Sequence, residues 1–136
     1  MNVVITGAAG YLGQQLTNYL LHETNHTVIA ADIRDTSPFE AHERLLYEQL
    51  DVRSNEAAAL FQKHEVEVVV HLASIVTPGK KSNREFEYSV DVLGTENMLN
   101  ACVEANVRRI IVSSSGASYG YHADNPAWLK ETDAIR

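Results

Sequence analysis

Val3-Val4-Ile5-Thr6-Gly7-Ala8-Ala9-Gly10-Tyr11-Leu12-Gly13 runs a short apolar block straight into three glycines, and an amphipathic stretch over residues 12–21 follows at once. The block reads as a strand and the stretch behind it as a helix, because its apolar residues recur at helical spacing. Such a strand-to-helix turn needs glycine. The backbone has to turn tightly, leave room for a ligand where a Cβ would stand, and let the helix pack closely on its strand. Gly7, Gly10 and Gly13 fit those needs.

The same alternation continues along the chain. Apolar blocks at residues 28–31, 45–50, 66–72 and 110–112 are separated by helical patterns at 55–64 and 85–105, which makes five strands with the first. Val68-Val69-Val70 and Ile110-Ile111-Val112 lack the alternation of a half-exposed sheet, as expected where helices cover both faces of a parallel one. The expected fold class is α/β: a doubly wound parallel sheet of about five strands, forming one domain over residues 1–136. Residues 36–43 and 77–84 read as loops. Residues 119–136 are polar and loop-like, with no helix to cover the fifth strand. The sheet therefore reads as incomplete at its C-terminal end and the chain as the N-terminal part of a longer protein.

Composition narrows the function. The 136 residues are 45% hydrophobic, enough for one core, and the formal net charge of −7 offers no basic field for nucleic acid or anionic lipid. No apolar run is long enough to span a bilayer, and the chain opens on a strand pattern rather than a signal sequence, so the expected location is cytoplasmic. The single cysteine, Cys102, lies among Met98, Leu99, Ala101 and Ala105 at helical spacing and reads as core. The six histidines, at 22, 26, 42, 64, 71 and 122, have no paired spacing on a helix, and no metal site is expected.

The ends of the strands carry the candidate chemistry. The amide groups of Tyr11 and Leu12 stand at the start of the first helix, where unpaired N–H groups and the helix dipole suit a diphosphate. Asp32 closes the second strand about twenty residues beyond Gly13, where a carboxylate accepts both ribose hydroxyls of an adenosine. That favours NAD over NADP, whose 2'-phosphate would meet the Asp32 charge, although Arg34, two residues on past Ile33, would offset part of the repulsion if it turned inward. Asp51-Val52 follows the third strand, where an acid and an amide read the amino group and ring nitrogen of adenine. His71-Leu72-Ala73-Ser74 ends the fourth, and its small residues allow the ribose and nicotinamide side to lie against the backbone. His71 reads as a hydrogen-bonded strand-end residue, with no partner indicated by spacing. The Ser113-Ser114-Ser115 block either binds substrate or simply ends a buried strand and caps the turn.

Taken in order, these motifs, with Asp91-Val92-Leu93-Gly94-Thr95-Glu96-Asn97 and Ser113-Ser114-Ser115-Gly116-Ala117-Ser118-Tyr119-Gly120, resemble the first half of an extended short-chain dehydrogenase/reductase with a Rossmann-type fold, the group of NAD-dependent epimerases and dehydratases. The resemblance implies that Gly7, Gly10, Tyr11, Leu12 and Gly13 hold the pyrophosphate, Asp32 the adenosine ribose, Asp51 and Val52 the adenine, and Leu72, Ala73 and Ser74 the nicotinamide side, with Ile33, Arg34, Asp91 and Ser113 also among the cofactor-binding residues. It places the substrate-contacting hydroxyl on Ser115. Asp91 stands where many relatives carry asparagine.

The family's Tyr-x-x-x-Lys pair, which moves the proton that accompanies hydride transfer, does not occur in the chain and is expected beyond Arg136. The chain alone is expected to be nearly inert, and the parent protein to be an NAD-dependent epimerase or dehydratase acting on a small molecule such as a nucleotide sugar. The resemblance also implies a homodimer built on helix 85–105. Two alternatives stay open at this point: a non-catalytic dinucleotide-binding module or redox sensor, and a carbonyl reductase of the same family.

Overall fold

The computed structural model describes residues 1–76 and 83–136, so most of the loop expected at 77–84 lies outside the described residues. The elements run β1 (Asn2–Thr6), α1 (Tyr11–Glu23), β2 (Thr27–Asp32), β3 (Leu45–Gln49), α2 (Ala57–Lys63), β4 (Val68–His71), α3 (Arg84–Tyr88), a π-helical turn (Ser89–Gly94), α4 (Thr95–Glu104), β5 (Arg109–Val112) and a 3-10 turn (Gly116–Tyr119). The five strands form one parallel sheet in the order β3-β2-β1-β4-β5. The order reverses between β1 and β4, and the carboxyl edge at such a point is where open α/β sheets bind ligands.

The two faces of the sheet pack separately. Val3 and Ile5 of β1 join Val28, Ala30 and Leu21 under α1, while Val4 joins Ile29, Ala31 and Val69 against α2 and α4. Successive side chains of a strand point to opposite faces, so an unbroken apolar run fills both cores at once. Phe61 of α2 and Met98 of α4 are fully buried in the second core beside Cys102, whose thiol burial pushes up to about 11. Cys102 therefore packs as a small protonated hydrophobe. At the far end of α1, the Arg44 guanidinium donates to the carbonyls of Leu21, Thr24 and His26 at 2.6, 2.6 and 3.0 Å, closing a helix terminus that has no glycine to cap it.

Helix 85–105 of the sequence reading is interrupted. Its middle turn widens to the π form, with the Thr95 hydroxyl donating to the Asp91 carbonyl at 2.7 Å. Gly94 is pressed on the loop after β3, and a Cβ there would stand 2.8 Å from Val52 Cγ2. Single π turns of this kind gather at functional sites. β4 is also shorter than the apolar run at 66–72, because Val66 is taken by the turn that ends α2, where its N–H donates to the Phe61 carbonyl at 3.0 Å. On the α1 side, Val3, Val68, Val70 and Ile111 line an open groove with Leu16 and Leu20, and Ile111 and Val112 of β5 stay exposed. Residues 121–136 form no helix or strand, although the Arg136 guanidinium meets the Asp124 carboxylate at 3.0 Å.

Phe61→Ala should cost about 3–5 kcal/mol of unfolding free energy in a urea titration, because the ring fills the core on which both α2 and α4 rest. Tyr19→Ala, on the exposed side of α1, should stay within about 0.5 kcal/mol of the parent in the same titration.

Candidate cofactor site

A cleft of about 1190 Å³ runs along the carboxyl edge of the sheet. Its walls take in Gly7, Gly10, Tyr11, Leu12 and Gly13 from the first turn, Asp32, Ile33 and Arg34 from the end of β2, and Asp51 and Val52 from the end of β3. Leu72, Ala73 and Ser74 beyond β4, Asp91 of the π turn, and Ser113 and Ser115 beyond β5 complete them. All the residues singled out from the sequence thus border one space. His71, Thr95 and Ile75 also line it; the sequence had singled out His71 only as a strand-end residue and Thr95 only within the 91–97 motif, and Ile75 not at all.

The three glycines of the turn have different reasons to be there. Gly7 has φ +68°, and a Cβ on it would lie 2.8 Å from the Ala73 nitrogen. A Cβ on Gly13 would run into the Gly7 carbonyl and stand 2.6 Å from Ala8 Cα. Gly10 has an ordinary extended backbone, φ −74° and ψ 171°, and a Cβ on it would meet only the Gly7 carbonyl, at 3.2 Å. Backbone conformation does not require glycine at position 10, and crowding by the protein is milder there than at Gly7 or Gly13. Gly10 borders the cleft, and beyond its chain neighbours that carbonyl alone stands within 4 Å of where its Cβ would be.

The amides of the turn divide in the same way. Ala8 N–H donates to the Ala31 carbonyl at 3.1 Å, Ala9 N–H to the Asp32 carboxylate at 2.9 Å and Gly10 N–H to the Gly7 carbonyl at 3.0 Å. The first turn of α1 begins immediately afterwards, has no side-chain cap, and offers the Tyr11 and Leu12 amides at a 13-residue helix's positive end. An uncapped helix start that lines a cleft and has a glycine clearing the approach fits a diphosphate.

Asp32 is buried and held. Its Oδ2 accepts Ala9 N–H at 2.9 Å and its Oδ1 accepts Arg34 N–H at 3.1 Å, which leaves lone pairs on both oxygens for hydroxyl donors. The Arg34 guanidinium turns back over the first loop and donates to the Ala9 carbonyl at 3.2 Å.

His71 has partners that spacing did not indicate. Its Nδ1 lies 2.7 Å from Thr6 Oγ1 and its Nε2 lies 3.0 Å from Thr95 Oγ1. Thr95 spends its proton on the Asp91 carbonyl, so it accepts from His71 Nε2–H, and Thr6 then donates to a bare Nδ1. That arrangement is the one open to a neutral imidazole, the form that burial favours, and it ties β1 to α4 through β4. Burial lowers its pKa, and the nearby Asp91 carboxylate opposes that only in part. Asp91 Oδ1 in turn accepts Ile75 N–H at 2.9 Å, and Thr6 Oγ1 accepts Ala73 N–H at 3.4 Å. The segment after β4 is hung from these groups. An acid in place of asparagine at 91 keeps the acceptor that this hydrogen bond uses.

Ser115 begins the 3-10 turn, its Oγ accepting Ala117 N–H at 3.2 Å, and Ser113 Oγ donates to the His71 carbonyl at 3.3 Å. Both serines cap backbone, as the plainer reading of the serine block has it, and both also border the cleft. Among the described residues, no group of three His, Cys, Asp or Glu side chains is placed to hold a metal ion. No helix among them is long and apolar enough to cross a membrane.

With that geometry in place, the comparison with known proteins is decisive, for residues 3–135 match the NAD dependent epimerase/dehydratase family. The chain belongs to this family. UDP-glucose 4-epimerase of Halalkalibacterium halodurans is 29% identical over 135 residues, which are 98% of this chain and 40% of that protein. Short-chain dehydrogenase/reductase family 42E member 1 of Xenopus laevis is 38% identical over 118 residues, covering 83% of this chain and 29% of the relative. Among solved structures, UDP-glucose-4-epimerase from Stenotrophomonas maltophila, with bound NAD and formylated UDP-arabinopyranose, superposes with a TM-score of 0.81 at 28% identity, over 100% of this chain and 43% of its own. The chain thus spans less than half the length of each of these three. The five-stranded parallel sheet is the Rossmann-type sheet of the family, and the family's cofactor is NAD.

Gly10→Val should lower NAD affinity by at least about a hundredfold in a calorimetric titration and lower the melting temperature less than Gly13→Ala does, since its Cβ meets one carbonyl at 3.2 Å where a Cβ on residue 13 would overlap backbone. Gly13→Ala should do the reverse first, lowering stability by about 1–3 kcal/mol through overpacking. A second expectation concerns pH. Because the folded pKa of His71 is depressed, its contribution to stability is complete above the unfolded value of about 6.5 and is lost as pH falls from there toward the folded value. Urea unfolding between pH 7.5 and pH 5 should show a steeper loss for the parent than for His71→Gln.

Proposed function

We propose that this chain is the dinucleotide-binding part of a nucleotide-sugar epimerase-like oxidoreductase, with NAD lying across the carboxyl edge of the sheet from the end of β3 to the end of β5. The observation that carries the reading is Gly10, which borders the cleft without a side chain, beside an uncapped helix start. The Tyr11 and Leu12 amides hold the diphosphate, Asp32 takes the ribose hydroxyls of the adenosine half, and Asp51 with the Val52 amide takes the adenine. Leu72, Ala73 and Ser74 form the wall for the nicotinamide half, kept in place by Asp91 and the neutral His71.

Bound NAD supplies a hydride acceptor at its nicotinamide ring, which lets a sugar carbinol carbon be oxidised and later re-reduced. The chain's own share of that chemistry is orientation. Ser115 accepts a backbone N–H and keeps its own proton to donate, so its hydroxyl is suited to hydrogen-bond the reacting substrate oxygen. The UDP-sugar bound to the Stenotrophomonas relative supports this substrate class. We assign the Tyr-x-x-x-Lys pair and the rest of the substrate pocket to the parent protein outside these residues. The exposed apolar side chains of Phe86, Val92, Leu99 and Val103 along α3, the π turn and α4 support a homodimer for that parent.

The test is to express the parent from its complete reading frame and ask whether it retains NAD and interconverts UDP-sugars epimeric at one carbon. Failure to bind NAD would remove the reading. Binding without turnover of any UDP-sugar would reduce it to a dinucleotide-binding module. At residue level, Asp32→Ala should weaken NAD more than NADP, because it removes two hydrogen bonds from one and a charge repulsion from the other. Equal losses for both dinucleotides would move the ribose away from Asp32.

A further inference from the structure

We infer that Arg53 is a specificity-determining positioning residue, which fixes the Asp51 carboxylate as an acceptor for the 6-amino group of adenine and so makes the cleft select an adenine dinucleotide over its 6-oxo counterpart. The inference rests on the assignment of Asp51 to adenine made above. Asp51 sits at the cleft wall just past β3, with about a third of its side chain exposed. A carboxylate in that position, left to itself, rotates and stays hydrated, and it reads a base poorly. Here it is gripped. Arg53 Nε donates to Oδ1 at 2.9 Å, Nη2 donates to Oδ2 at 2.6 Å, and the Arg53 backbone N–H donates to Oδ1 at 2.9 Å.

The guanidinium is itself seated on α3 and the π turn. Its Cζ lies 5.2 Å from the centre of the Phe86 ring of α3, and its Nη1 lies 3.4 Å from the Ser89 hydroxyl of the π turn. The loop it belongs to is pinned again by Asn97 of α4, whose amide nitrogen donates to the Val52 carbonyl at 2.8 Å and the Ser54 carbonyl at 2.6 Å. Rotation of the carboxylate would therefore break a planar two-point contact with a cation that cannot follow it.

The hydrogen-bond inventory tells which oxygen is left to read the base. Oδ1 receives two well-placed donors, which fills it, whereas Oδ2 receives Nη2 and only a long shared contact of 3.2 Å from Nε. Oδ2, whose second donor is long and shared with Oδ1, is the oxygen with acceptor capacity to spare. The Arg53 guanidinium also holds the Asp51 carboxyl below its ordinary range, so near neutral pH it has acceptors and no proton to give. An amino group at position 6 of the purine donates to such an oxygen. A 6-oxo group presents a second acceptor to it and is repelled.

The experiment compares the affinity of the apo parent protein, freed of any endogenous dinucleotide, for NAD and for nicotinamide hypoxanthine dinucleotide by calorimetry. The parent should prefer NAD by about tenfold or more. Arg53→Ala should reduce that preference by about threefold or more, chiefly by weakening NAD, while the Val52 amide, which would meet a ring N–H instead of a bare ring nitrogen in the 6-oxo dinucleotide, keeps the rest. Arg53→Lys, which keeps the charge without the fork, should lie between them and supplies the same readout if the alanine variant does not fold. Equal weakening of both dinucleotides by the Arg53 variants would overturn the inference and leave Arg53 as a brace for the loop. Asp51→Asn separates the two claims. Loss of the preference in Asp51→Asn together with its survival in both Arg53 variants would overturn only the role of Arg53, whereas an undiminished preference in Asp51→Asn would remove the adenine assignment and the inference with it.

Discussion

The turn between β1 and α1 lies directly on the end of β4, and everything else in the cleft depends on that approach. With a side chain on residue 7, the backbone at Ala73 would have to retreat from a carbon 2.8 Å away. Residue 13 closes the same turn onto its own first half, against Ala8. The two contacts set where α1 begins and therefore where its unpaired amides face. Ala8 and Ala9, by bonding to Ala31 and Asp32, then register the turn against β2. Two glycine-only packing contacts and the hydrogen bonds of Ala8 and Ala9 thus align the ends of β1, β2 and β4 with the start of a helix.

On the other side of the cleft, the segment from α3 through the π turn to α4 organises loops that have no regular structure of their own. Asp91 holds the backbone at Ile75, Thr95 completes the chain of hydrogen bonds through His71 to Thr6, Asn97 takes two carbonyls after β3, and Arg53 is seated on Phe86. The wider π turn puts Gly94 against Val52 while Asp91 still reaches Ile75. Loops that must present backbone to a ligand pay an ordering cost, and here packing on one rigid helical segment meets it before any ligand arrives.

Much of this was legible in the residues themselves. The strand blocks, the glycine turn and Asp32 follow rules that act over a few residues, so they can be read in one dimension. The interrupted helix was not legible. Residues 85–105 keep an acceptable helical periodicity throughout, and the neighbour against which Gly94 of the π turn packs, Val52, lies some forty residues earlier. The His71 network escaped for the same reason, since its two threonines are 65 and 24 residues away. Arg53 reads in sequence as one more surface cation after a strand, and only the placement of Phe86 and Ser89 gives it a seat.

By itself the sequence determined the parallel α/β class, the turn at residues 7–13 and the set of strand ends that could meet a dinucleotide, because short-range periodicity and the conformational freedom of glycine do not need a partner to be expressed. Tertiary structure decided how those ends are held: what the His71 imidazole bonds to, how Arg53 grips Asp51, and how closely each glycine of the turn meets the protein. Those are properties of hydrogen bonds and contacts between segments far apart in the chain, and they exist only once the sheet has brought the segments together.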